Sequence, residues 1–200
     1  MIIKLMLCIG LICQSVSLSA QDWKLRKSNE RIKVFSSSEP HSDFDIIKVE
    51  AEVDGTIQKL VSILKDVGNN NKWVYKTRRS YRIDSVNADE FLYYAETAVP
   101  WPFSNRDVVI KMLFIPDTIN KKLIVQATGI PEAIPQKQGL VRIKKFDGYW
   151  QVTQESNNKI TINYLLKVDP GGSIPPGISN LFVSNGPFET FNNLAKRLKQ

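Results

Sequence analysis

Pro100-Trp101-Pro102-Phe103-Ser104-Asn105-Arg106-Asp107 runs directly into Val108-Val109-Ile110-Lys111-Met112-Leu113-Phe114. Apolar and β-branched residues dominate the second half, which predicts a strand. Successive strand side chains point to opposite faces. One face therefore carries Arg106, Val108, Ile110, Met112 and Phe114, and the other Asp107, Val109, Lys111 and Leu113. A lone guanidinium on an otherwise apolar face costs several kcal/mol unless something pairs with it. A protein carboxylate such as Glu96 or Asp84, or an anionic ligand headgroup, would serve, and the residues leave both open.

Upstream, residues 45–53 alternate, with Ile47, Val49, Ala51 and Val53 opposite Lys48, Glu50 and Glu52, as in a half-buried antiparallel strand. Residues 23–30 are expected to form a short helix and 31–37 a first strand. Thr56 opens a helix carrying Ile57, Leu60, Val61 and Leu64 at helical spacing. Further strands are expected at 77–86, 90–99, 105–115, 122–128, 140–146, 149–154 and 159–168. Asp147-Gly148 is the strongest hairpin signal and Asn157-Asn158 another tight turn. Pro175-Pro176 can start a last helix whose apolar stripe runs from Ile178, Leu181 and Phe182 to Leu198, with Pro187 expected to kink it. This order predicts an α+β protein in which one antiparallel sheet wraps around one long C-terminal helix.

Residues 1–20 stand apart. Lys4 is their one charge, Leu5 to Leu18 is largely apolar, and Ser17-Leu18-Ser19-Ala20 supplies small residues, as in a secretory signal peptide. The apolar run is shorter than the roughly 20 residues a spanning helix needs. Export to the periplasm or the medium is expected, leaving residues 21–200 as one domain. Both cysteines, Cys8 and Cys13, lie in that leader, so the mature chain would have no disulfide, thiol nucleophile or zinc–thiolate site. The formal net charge of +7 falls to +6 without Lys4. The basic residues are scattered, with no arginine-rich stripe, so nucleic acid is not an expected partner. His41 is the single histidine, which argues against a Ser-His-Asp hydrolase and a histidine-rich metal site. Gly171-Gly172 lacks the spacing and lysine of a phosphate loop. No cofactor is expected.

Four segments, in this order, resemble the START family of steroidogenic-acute-regulatory-protein-related lipid-transfer domains. They are Arg31-Ile32-Lys33-Val34-Phe35, the 100–107 segment, Gly139-Leu140-Val141-Arg142-Ile143 followed by Trp150, and Asp169-Pro170-Gly171-Gly172-Ser173-Ile174-Pro175. The resemblance covers about residues 23–199. It implies a helix-grip fold, in which a curved antiparallel sheet closes over the C-terminal helix around an internal cavity. It implies non-catalytic binding and transfer of a phospholipid, sterol or similar molecule by a monomer. From the residues alone, the apolar faces fill a solid core as readily as they enclose a hollow.

On this resemblance Arg106 looks toward a lipid headgroup, a role its forked donors suit. Val108, Ile110, Met112, Tyr81, Glu96, Tyr164, Ile178, Leu181 and Phe182 join it as lipid-contacting candidates, with Trp73 and Trp150 as further aromatic lining. Asp107 is expected to cap the turn at Ser104-Asn105, and Trp101 to pack at the start of its strand. Pro116, Ile119, Pro175 and Pro187 are the gate candidates. Ile119, beside Lys121-Lys122, is placed for transient contact with an anionic membrane. Two rivals stand beside lipid carriage. One is a cyclase- or aromatase-like enzyme on the same fold using Glu96, Tyr94 or Tyr164. The other is an interaction module with a filled cavity.

Overall fold

The computed structural model describes residues 21–38, 44–172 and 181–200. One ten-stranded sheet dominates it. In chain order the strands are β1 (Lys24–Ser28), β2 (Ile32–Ser37), β3 (Ile46–Asp54), β4 (Thr77–Ser85), β5 (Glu90–Thr97), β6 (Arg106–Asp117), β7 (Lys122–Gly129), β8 (Val141–Arg142), β9 (Lys145–Ser156) and β10 (Lys159–Asp169). Their spatial order is β1-β2-β3-β10-β9-β7-β6-β5-β4, with β8 parallel to β6 and every other pairing antiparallel. Helix α1 (Ile57–Lys65) and a 3-10 turn (Val67–Lys72) carry the chain from β3 to the far edge strand β4. Helix α2 (Gly186–Leu198) closes the concave side, giving the helix-grip architecture.

Alternation decides what each face buries. Ile32 and Val34, then Val49, Ala51 and Val53, then Ile160 and Ile162 turn inward from neighbouring strands. From the other half of the sheet come Phe91, Val108, Ile110, Met112 and Val125. Thr56 caps α1 by accepting a hydrogen bond from the Lys59 amide at 3.1 Å, and Leu60, Ile63 and Leu64 are its buried stripe. The stripe of α2 is Pro187, Phe191, Leu194 and Leu198. Phe191 stacks on Trp150 of β9, with ring centroids 5.3 Å apart, and meets Tyr164 of β10 at 5.6 Å.

Four local expectations are corrected. Residues 24–28 form an edge strand, not a helix; pairing with β2 overrides local propensity, and Lys24, Arg26 and Lys27 blunt the edge. Asp147-Gly148 is no hairpin but lies inside β9, opposite Lys167 and Leu166 of β10 and Thr128 and Ala127 of β7. Glycine there answers a close approach: a Cβ on residue 148 would sit 3.2 Å from the Ala127 Cβ. The strand expected at 140–146 shrinks to Val141–Arg142. Pro187 does not kink a helix interior. It sits in the first turn of α2, where its missing N–H breaks no bond, and a π-helical turn (Leu181–Asn185) precedes it.

Candidate functional site

Between the concave face and α2 lies a cavity of about 220 Å³. A single water needs roughly 10–15 Å³ of such space. The inward residues of five strands meet there: Tyr93, Ala95 and Thr97 of β5, Val108, Ile110 and Met112 of β6, Ala127 of β7, Phe146 and Trp150 of β9, and Tyr164, Leu166 and Val168 of β10. Trp73 and Val74 close one side, and Pro187, Thr190 and Phe191 of α2 form the floor. The rim reaches solvent at Lys76, which is exposed and holds a left-handed backbone, φ 59°. The Ala98 amide donates to the Lys76 carbonyl at 2.9 Å, joining the two sides of that rim.

The wall carries few polar groups. Burial pushes the Tyr93 and Tyr164 phenols well above their ordinary pKa, Tyr164 further because Tyr93 is a neighbour. Neither hydroxyl has a hydrogen-bond partner among the described residues. Asn70 Oδ1 and Trp73 Nε1 are buried, also without partners there.

Arg106 stands at the start of β6, 2% exposed, and does not line the cavity. No described carboxylate pairs with it. It donates instead to backbone carbonyls, from Nε to Pro170 at 3.3 Å, from one terminal nitrogen to Gly171 at 3.1 Å, and from the other to Ser104. Both expected carboxylates are elsewhere: Glu96 lies 4.0 Å from Arg78, and Asp84 accepts from the Ser85 amide. Gly171 and Gly172, at φ 67° and 64°, make the turn that presents those carbonyls, a backbone that glycine adopts without strain.

Asp107 corrects a second expectation. It does not cap the turn. It is 1% exposed and accepts from Nε and from one terminal nitrogen of Arg142, at 2.9 and 3.0 Å. Arg142 also donates to the carbonyls of Pro131, Ile134 and Pro135, so residues 130–142 are strapped over the outer face of β6. From that strap the Lys137 Nζ reaches to 3.8 Å from the Tyr94 ring centroid and donates to the Tyr81 hydroxyl at 3.1 Å.

Register sorts the remaining candidates. In an antiparallel sheet, paired residues share a face. Tyr93 pairs with Ile110 and Ala95 with Val108, so these face inward; Tyr94 pairs with Val109 and Glu96 with Asp107, so these face outward. Tyr81, paired with Tyr94, follows them. Tyr81, Glu96 and Tyr94 are therefore outside the cavity, while Val108, Ile110, Met112, Tyr164, Trp73 and Trp150 line it. Tyr93, Phe146 and Phe191 line it without having been expected. Pro116 and Ile119 belong to the end of β6 and its turn into β7, beyond Met112, the last β6 residue on the wall, so they do not border the opening. Trp101 does not pack at its strand but is 91% exposed. Pro187 lines the cavity; Pro175 and Ile178 fall outside the described residues, as do the side chains of Leu181 and Phe182.

Comparison with known proteins agrees with this geometry. An uncharacterized protein of Pseudomonas aeruginosa is 28% identical over 175 residues, spanning 88% of this chain and 86% of that one. The mouse phosphatidylcholine transfer protein is 24% identical over 178 residues, 86% of this chain and 82% of its own length. The crystal structure of a STAR-related lipid transfer protein fragment from Xanthomonas axonopodis superposes with a TM-score of 0.80 at 27% identity, covering 89% of this chain and 99% of that one. The START domain family model matches residues 11–200, and the chain belongs to that family.

Proposed function

We propose that this protein takes one lipid molecule into the cavity and carries it between membranes unchanged. The observation that carries this reading is the apolar hollow between the sheet and α2. A guest moving there from water gains about 25 cal/mol for each Å² of apolar surface it buries. Carriage without chemistry is favoured because the acids an enzyme would use, Glu96 and Tyr94, point away from the cavity, and the Tyr164 phenol is held neutral. The opening at Lys76 and Ala98, followed by exposed Trp101, is the face that meets the membrane; tryptophan suits that interface. Arg78 and Arg79, also exposed, favour an anionic one. Residues 1–20 direct export, and the exported chain works as a monomer.

The test is mass spectrometry of protein purified without detergent, followed by transfer between vesicles. A bound lipid returned unchanged supports carriage. A chemically altered product favours the enzyme reading, and a chain that neither retains nor takes up any lipid sinks the proposal.

A further inference from the structure

We propose that the guest is an uncharged lipid, its polar group a hydroxyl or ester carbonyl held between the Tyr93 and Tyr164 hydroxyls, and that the cavity interior takes no phosphate. This deepens the lipid-carrier reading and rests on it.

The first argument is where the charges are. Among the described residues that line the cavity, the one charged side chain is Lys76, and it is exposed at the rim. The two buried guanidiniums nearby are committed to the protein itself, Arg106 to the Ser104, Pro170 and Gly171 carbonyls and Arg142 to Asp107 and its strap. The sequence of residues 173–182 contains no charged residue either. A phosphate drawn inside would lose its hydration without gaining a counter-charge.

The second argument is what the wall offers instead. Tyr93 comes from β5 and Tyr164 from β10, strands separated in the sheet by β6, β7 and β9, so the curl of the sheet faces them across one cavity. Both hydroxyls lack a partner among the described residues. Burial keeps both phenols protonated and able to donate. Space is kept beside one of them: the Tyr164 hydroxyl lies 3.4 Å from where a Cβ of residue 148 would stand, and residue 148 is glycine. An unpaired donor in an apolar wall is costly, and a neutral ligand oxygen relieves that cost without bringing a charge.

The experiment offers the purified protein vesicles containing dioleoylglycerol, cholesterol, dioleoylphosphatidylcholine and dioleoylphosphatidylglycerol, and quantifies the lipid bound after re-isolation. The uncharged lipids are expected in excess. Tyr93→Phe and Tyr164→Phe should each weaken their uptake by about two- to tenfold, the worth of one hydrogen bond. Both variants should unfold at the parent's midpoint or slightly above it, because the deleted hydroxyl has no hydrogen-bond partner among the described residues. Preferential phospholipid uptake, or unchanged binding in both variants, overturns the assignment while leaving lipid carriage standing. Uptake of no lipid at all overturns both.

Discussion

Asp107→Ala should be among the most damaging single changes in this chain, and the structure sets the size of the effect. Both side chains of the Asp107–Arg142 pair are nearly sealed from water, 0% and 4% exposed, and two hydrogen bonds of 2.9 and 3.0 Å join them. Removing the carboxylate strands a guanidinium that keeps only the carbonyls of Pro131, Ile134 and Pro135. Breaking one side of a buried pair costs about 3–5 kcal/mol. For a chain of this length each kcal/mol moves the midpoint by roughly 2–4 °C, so a fall of about 6–20 °C is expected. Thermal and urea unfolding give the cost, and hydrogen exchange across residues 130–142 reports whether the strap lifts. Glu50→Ala is the control: it breaks a half-exposed 2.9 Å contact with Lys48 and should cost at most about 1 kcal/mol. The double variant Asp107→Leu/Arg142→Met should be destabilised by less than the sum of its two single changes, because neither charge is left alone. A loss below about 1 kcal/mol for Asp107→Ala, or strict additivity in the double variant, would refute the reasoning.

Three further outcomes follow from the same geometry. Arg106→Leu removes three hydrogen bonds from a charged donor, each worth about 1.5–3 kcal/mol and not additive, so it should lower urea stability by on the order of 3 kcal/mol while the folded fraction takes up lipid as before; lost uptake at full stability would return Arg106 to the ligand. Gly148→Val overpacks a wall whose nearest neighbours are the Ala127 Cβ and the Tyr164 hydroxyl, and should cost about 1–3 kcal/mol in thermal unfolding; a neutral result would mean β9 can move away. Asp45 is opposed by burial, yet hydrogen bonds from Ser36 and Ser38 and the Arg26 guanidinium outweigh it and hold its pKa below the usual carboxylate value. Its folded pKa is the lower one, so its contribution is present above about pH 4 and is lost as the pH falls through the folded value. Urea midpoints between about pH 6 and 3 should therefore fall less steeply in Asp45→Asn than in the parent, and equal slopes would exclude the role.

The fold was legible because its signals are local and repeated. Residues 47–53 and 160–164 alternate strictly, and β3 and β10 turn out to be neighbours that bury the facing halves of those patterns. The cavity wall was half legible for a reason visible in β5. Phe91, Tyr93, Ala95 and Thr97 alternate with Leu92, Tyr94 and Glu96, and each set mixes apolar with polar groups, so hydrophobicity does not choose the inner face. The pairing of Tyr93 with Ile110 chooses it, and a pairing partner is a property of topology. The same holds for Asp107. Its partner lies 35 residues away on β8, a two-residue strand placed beside β6 by the parallel pairings Arg106–Val141 and Asp107–Arg142. Asp147-Gly148 misled because a glycine that permits close approach within a strand looks the same in sequence as one that permits a turn.

The two charges that open β6 explain how the fold keeps a hollow. Unfilled space of about 220 Å³, at about 24 cal/mol per Å³, withholds roughly 5 kcal/mol of packing, as much as a marginal domain has in hand. That deficit must be met at places the guest does not touch. Arg106 ties the start of β6 to the Pro170-Gly171 turn, from which the chain runs on toward α2, and Asp107 ties it to the strap on the outer face. Asp107 points to the outer face, and Arg106, though it shares a face with Val108, Ile110 and Met112, lies beyond the residues that line the cavity. A guanidinium left free within the cavity would draw water or an anion into the apolar space. Committing it to backbone carbonyls leaves Lys76 at the rim as the one charged side chain among the described lining residues, and under the proposal above such a wall would select its guest by shape and by one hydrogen-bonding oxygen.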